Sequence, residues 1–264
     1  MFKQLIQFVI MIAISSLALA QDRTQLGNPA SPDSTTACDV TFSSGSSTNA
    51  TQFCVTANGN IAQFSVAGGE MIAVGGIGEG YGICDVTSGV GYFDYADGAS
   101  LNWGTATLTH SGNLVTVIRK TSDGLWQLTQ KITNVPATAT APGSAKVSMA
   151  LKNLSGESRQ AYIMRYADVD ADGDQTGNDF DYTSQSAFGL EPSQRGLGIT
   201  NNTFNINFGY DTYAQLQQSG PNPCLPFALI APHPFHGDGS IAQFWSMTVN
   251  KGTTQTVVST YRPI

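Results

Sequence analysis

Three site signatures, one catalytic and two for binding, are missing from this 264-residue chain. No G-x-S-x-G occurs, so there is no hydrolase nucleophile elbow. No C-x-x-C occurs, which removes the usual spacing of a structural zinc site. The glycine-rich run at 75–82 fails G-x-G-x-x-G at every register, lacks a following lysine and introduces no helix. It is read as a tight strand connection rather than a phosphate loop, with Glu79 available to a ligand. Basic residues are few and scattered, 12 Lys and Arg against 19 Asp and Glu, so nucleic acid is not an expected partner. Internal repeats of fixed period are also absent.

The ends and the cysteines describe a compartment. Lys3, the apolar stretch from Leu5 to Ile14 and the A-x-A site Ala18-Leu19-Ala20 make residues 1–20 a signal peptide. The apolar stretch is too short for an anchor and ends in small residues, so no stable membrane insertion is expected after cleavage. Val257-Val258-Ser-Thr-Tyr261 reads as strand, without a hydrophobic tail. The expected location is secreted, periplasmic or cell-surface. Cleavage removes Lys3 and leaves 11 basic against 19 acidic side chains, a formal charge of −8. Cys38, Cys54, Cys84 and Cys224 are an even set, expected to form two disulfides with three available connectivities. A Ser/Gly/Asn-rich turn between Cys38 and Cys54 favours that pair and leaves Cys84 with Cys224.

Residues 21–37 are polar, carry Pro29 and Pro32, and read as a mobile N-terminal arm. Residues 38–264 read as a single β-sandwich domain. Period-2 alternation recurs in Ile61-Ala-Gln-Phe64-Ser-Val66, Leu114-Val-Thr-Val117, Leu125-Trp-Gln-Leu128, Lys146-Val-Ser-Met149, Ala161-Tyr-Ile163-Met-Arg-Tyr166, Phe204-Asn-Ile206-Asn-Phe208 and Ile241-Ala-Gln-Phe244. Asn153-Leu-Ser-Gly156-Glu-Ser and Asn250-Lys-Gly252 are expected to close hairpins. Residues 136–144, with Pro136 and Pro142, are expected to be a long surface loop. Only 211–218 suggests a helix, with Asp211 as N-cap and Pro221 as stop. The expected fold is all-β, a large antiparallel sandwich. The Asn-x-Ser-Gly turn leading into Arg165-Tyr166-Ala-Asp168, with the terminal strand pair, resembles the β-supersandwich domains of exported bacterial proteins. That resemblance implies a fold and no activity.

The densest chemistry lies at 168–181, which holds six of the nineteen acidic residues. Asp168, Asp170, Asp172 and Gly173, with Asp179 at the twelfth position, follow the D-x-D-x-D-G calcium-loop pattern. Alternate carboxylates converge on a cation that takes six to eight oxygens, and the glycine allows the reversal. Asp174 would offer its carbonyl and Thr176 a water. The last ligand is Asp rather than Glu, and the preceding segment is strand-like. The loop is therefore an EF-hand-like turn on a β scaffold, with structural Ca2+ as the expected cofactor. Pro232-His233-Pro234-Phe235-His236-Gly237-Asp238 offers imidazoles and a carboxylate, and reads as a stiff surface loop. Tyr92, Tyr95 and Trp103, set among Asp and Asn, have the composition of a glycan site. Glu70, Glu79, Glu157 and Glu191 are the candidate carboxylates for a glycosidase.

The functional expectation is an exported, calcium-stabilised sandwich that binds an extracellular glycan or protein. Two alternatives stand beside it: a secreted glycoside hydrolase or lyase, and a structural cell-surface or matrix subunit that assembles through its arm.

Overall fold

The computed structural model describes residues 38–73, 78–96, 100–203, 208–216, 222–227 and 230–264. The expected signal peptide of 1–20, the expected arm of 21–37, residues 75–77 of the glycine-rich run and residues 204–207 lie outside the described residues.

The chain folds as an all-β sandwich in which every strand pairing is antiparallel. A small sheet takes β1 (Val40–Ser44), β2 (Thr51–Val55), β3 (Ile61–Val66) and β4 (Gly69–Glu70) in that order. A six-stranded sheet contains β5 (Glu79–Asp85), β6 (Val90–Tyr95), β7 (Ser100–Leu101), β12 (Arg159–Asp168), β16 (Gly209–Leu216) and β18 (Gly239–Val249), in the order 16-18-12-5-6-7. The nine-stranded sheet holds β8 (Thr107–Ser111), β9 (Leu114–Lys120), β10 (Trp126–Val135), β11 (Ser144–Asn153), β13 (Asn178–Tyr182), β14 (Ser186–Leu190), β15 (Gly196–Asn201), β17 (Phe235–Gly237) and β19 (Thr254–Pro263). Its order is 17-13-14-15-19-11-10-9-8.

Alternation builds the core directly. Along β10 the even residues Trp126, Leu128 and Ile132 turn inward, and along β12 the odd residues Ala161, Ile163 and Ala167 do the same. They meet Val147 and Met149 of β11, Trp245 of β18 and Phe53 and Phe64 of the small sheet in one apolar cluster. The even residues of β12 point the other way and join a second cluster.

Three local expectations are corrected. The turn after Asn153 does not close a hairpin: β11 belongs to the nine-stranded sheet and β12 to the six-stranded one. The turn at Asn250 likewise carries the chain from β18 to β19 across the sandwich. Both are arches, and they brace each other. The Asn153 amide donates to Val249 O at 2.8 Å and Glu157 O at 2.7 Å, and its N–H donates to Thr253 O. Turn chemistry marks a reversal but says nothing of which sheet receives the returning chain. The third correction is 211–218, where residues 211–216 belong to strand β16. From Gly209 to Leu216 that strand pairs with β18, and Asp211 accepts from the adjacent Thr212 N–H instead of capping a helix. The loop at 136–143 does close a hairpin, between β10 and β11, and packs on the small sheet through Ala137 N–H to Ser44 Oγ.

Candidate functional site

Two disulfides join Cys38 to Cys54 and Cys84 to Cys224, and no free cysteine remains. Such pairs mark an oxidising compartment. Among the described residues no helix is long and apolar enough to cross a membrane.

The acidic segment begins where β12 ends. Asp168 is its last residue, fully buried, and Asp170 lies two residues on at 3% exposure. The β12–β18 register sets Asp168 opposite Ser240, which brings half-buried Asp238 to the same place. Carboxylate oxygens of Asp168, Asp170 and Asp238 all lie within 4.8 Å of one another. Asp238 comes from the His/Pro motif, so two motifs far apart in sequence meet here. The spacing within 168–179 carries no trace of it.

The remaining members of the loop pattern take other partners. Asp172 adopts a left-handed backbone, φ 54°, and its carboxylate pairs with Arg195. It packs so closely on Gly69 that a Cβ there would overlap its Oδ1. Asp174 is exposed and accepts the N–H groups of Thr176 and Gly177 at 2.9 Å. Thr176 is exposed. Asn178 braces the turn by donating to Asp174 O and accepting from Ala171 N–H. Asp179 and Asp181 bind the imidazole Nδ1 atoms of His236 at 2.7 Å and His233 at 2.5 Å, along the β13–β17 edge.

Polar groups also lie between the sheets. Arg165 and Glu79, both fully buried, form an ion pair at 2.7 Å. Arg165 also donates to Tyr261 Oη and Gln130 Oε1, and Glu79 accepts from Tyr261 Oη and Ile61 N–H. Burial pushes the Glu79 carboxyl up, against the pull of Arg165 and these donors. A parallel set joins Arg119 to Asp94 at 2.5 Å, with Tyr81, Asn58 and Asn60 around them. Of the four glutamates considered for glycosidase chemistry, Glu79 is sealed in this interior. Half-buried Glu70 is taken up by its own turn, accepting from Phe64 N–H and Ser65 Oγ. Glu157 and Glu191 pair with Arg159 and Arg195.

Tyr92, Tyr95 and Trp103 do not share a face. Tyr92 turns inward with its hydroxyl on Asp123 and its ring edge-on to Trp103, over which Arg119 is stacked. Tyr95, three residues along β6, points to the opposite side and stacks on Phe93. That opposite side of the six-stranded sheet carries a run of aromatic rings among smaller residues such as Met164 and Ala242. Tyr95 packs edge-on to Tyr166, Tyr162 edge-on to Phe244, and Phe227 against both Phe244 and Tyr213. Gly80 makes room for it, because a Cβ there would fall 2.6 Å from Tyr95 and 2.8 Å from Tyr166. A cleft of about 290 Å³ opens in this surface between Tyr162, Phe244 and residues 224–227. Alternation in β12 and β18 contained this second aromatic face, but two-sided burial hid it.

No protein-family model matches the chain, and no curated protein does. Solved structures do. A bacterial glucoamylase complexed with acarbose superposes with a TM-score of 0.56 at 9% identity, over 85% of this chain and 32% of that one. The heparan sulfate lyase HepC of Pedobacter heparinus gives a TM-score of 0.49 at 12% identity, over 84% of this chain and 34% of the lyase. The chain therefore spans about a third of the length of either protein. At such identity the glucoamylase likeness establishes the fold alone.

Proposed function

We propose that this is an exported β-sandwich that binds an extracellular glycan through the aromatic outer face of its six-stranded sheet, with calcium securing the acidic end. The observation that carries the glycan reading is that face: half-buried Tyr162 and exposed Phe227 line a cleft, and half-buried Phe93 and Tyr95 lie on the same side of the sheet. Aromatic faces stack on the C–H faces of sugar rings, and tyrosine hydroxyls add hydrogen bonds at the rim. The glucoamylase that shares the fold was solved with acarbose, which agrees in ligand class. Aromatic residues are also enriched at protein interfaces, so a face that holds no polysaccharide would fit a protein partner instead. Retention on polysaccharide affinity gels, lost on Tyr162→Ala and Phe227→Ala, supports the reading. A protein that passes unretarded through all of them is not a glycan binder.

The donor set at the acidic end suits a hard divalent cation: three carboxylates from two segments, with no nitrogen or sulfur donor among them. Asp168, Asp170 and Asp238 would hold the ion, and Asn178 would keep the turn in shape. Bound calcium would offset the carboxylate charge and join the end of β12 to the start of β18. Since both strands also carry the cleft, the metal's role is structural support. With a dissociation constant of about 0.1 mM and about 1 mM calcium, the added stability is about 1.4 kcal/mol. A melting temperature that is the same in chelator and in calcium, at about fifty times that constant, removes calcium from the proposal.

A further inference from the structure

One wall of the aromatic cleft does not belong to the sheet. Residues 222–227 cross the outer face above β5 and β6, and Cys84–Cys224 bonds them to β5. Pro223 is buried on the bare backbone of Gly82 and Gly91. A Cβ on Gly82 would stand 3.0 Å from the proline ring, so a larger residue would press the segment outward by a few tenths of an ångström. Beyond the disulfide, Tyr213 donates its hydroxyl to Pro226 O, and the Phe227 ring lies 5.0 Å from Phe244. Leu225 and Phe227 nonetheless remain 61% and 47% exposed, although rings to pack against lie alongside.

None of the cleft's six lining residues is charged, in a chain whose carboxylates outnumber its cations. A polyanion finds no counter-charge there. An uncharged ring with apolar C–H faces finds Tyr162 and Phe227, each set at a steep angle to Phe244. We propose that residues 222–227 are a disulfide-held wall that creates a subsite for a neutral sugar ring, and that Cys84–Cys224 acts as the positioning element of that subsite. This rests on the glycan reading above and narrows it to uncharged polysaccharide, with Phe227 as the principal contact.

The test uses the full folded protein on native affinity gels containing soluble starch, hydroxyethylcellulose, laminarin or xylan as neutral probes, and polygalacturonate or heparin as anionic ones. The expected result is retardation by at least one neutral probe and by neither anionic one. Phe227→Ala should weaken that retardation at least about tenfold, as removal of a central aromatic contact does. The double change Cys84→Ser with Cys224→Ser should weaken it comparably, at a temperature where circular dichroism shows the strands intact. Gly82→Ala, which raises the wall and keeps the disulfide, should weaken it too. Retardation by anionic probes alone overturns the neutral subsite and leaves the glycan reading standing. Neutral binding that survives Phe227→Ala and the cysteine change overturns the role of the wall. No retardation by any probe ends both.

Discussion

Arg165 and Glu79 meet at 2.7 Å between the sheets with neither side chain exposed; His236 and Asp179 meet at the same 2.7 Å on the β13–β17 edge with more than half of each in solvent. The distance is the same and the physics is opposite. In the interior both charges have lost water, and Tyr261, Gln130 and the Ile61 N–H replace it. At the edge water remains, screens the attraction and competes for both partners. The acidic end combines the two situations, since Asp168 and Asp170 are buried while Asp174 and Asp179 are exposed. Pairing distance therefore says little about which charges hold this protein together, and the replacement for lost water says much more.

The sharpest way to break the comparison is Arg165→Met. Removing one member of a buried pair strands the other, and the expected loss is about 3–5 kcal/mol by urea unfolding. The same change in a background with Glu79→Leu should restore most of it, because no lone charge is left behind. The pH dependence has a defined sign. Without Arg165, burial acts on Glu79 against only the Tyr261 hydroxyl and the Ile61 N–H, and raises its folded pKa further above the unfolded value of 4.5. The folded state then binds more protons than the unfolded one, so the variant's stability is highest below that value and falls as pH rises through the folded pKa. A deficit that shrinks with rising pH would contradict the assignment.

A smaller effect, present only with calcium, is expected at the acidic end. Asp170→Asn removes one of three crowded carboxylates, so its cost should depend on the ion. At about 1 mM calcium it should cost about 1.4 kcal/mol more than in chelator, the whole contribution of the ion. Differential scanning calorimetry in both buffers reads the difference, and equal cost in both would leave only a hydrogen-bonding role for the side chain. The smallest effect belongs to the edge: His236→Ala should change stability by about 0.5 kcal/mol or less, and by nothing measurable in 1 M salt, a concentration at which the screening length is about 3 Å.

Alternation in β9, β10 and β11 made the strands and their inward faces legible, since period 2 is a property of each strand by itself. Partner choice is not local. The arches after Asn153 and at Asn250 therefore looked like hairpins, and β16 looked like a helix although β18 pairs with its whole length. The same limit governs the sites. Asp168 and Asp170 were readable because their spacing is local, whereas Asp238 joins them only through the β12–β18 register. Tyr95 sits on the aromatic outer face, but Tyr92, with Trp103, packs into the core, because residues three apart on a strand face opposite sides. Residues 222–227 were legible only through Cys224, expected to pair with Cys84; the rest of their placement depends on two glycines on neighbouring strands.

The position of β19 has a consequence for how the chain comes to rest. It is the fifth of nine strands, between β15 and β11, yet the last in chain order. A chain made from its N-terminus has every other member of that sheet before it has the middle one. Until residues 254–263 emerge, β15 and β11 each present an open, largely buried-type edge, the kind that recruits strands from other molecules. Insertion of β19 closes both edges in one event and couples the two halves of the sheet. A chain lacking those ten residues would keep two four-stranded half-sheets with no strand pairing between them and two open edges, so loss of this segment should give aggregation rather than a smaller folded protein.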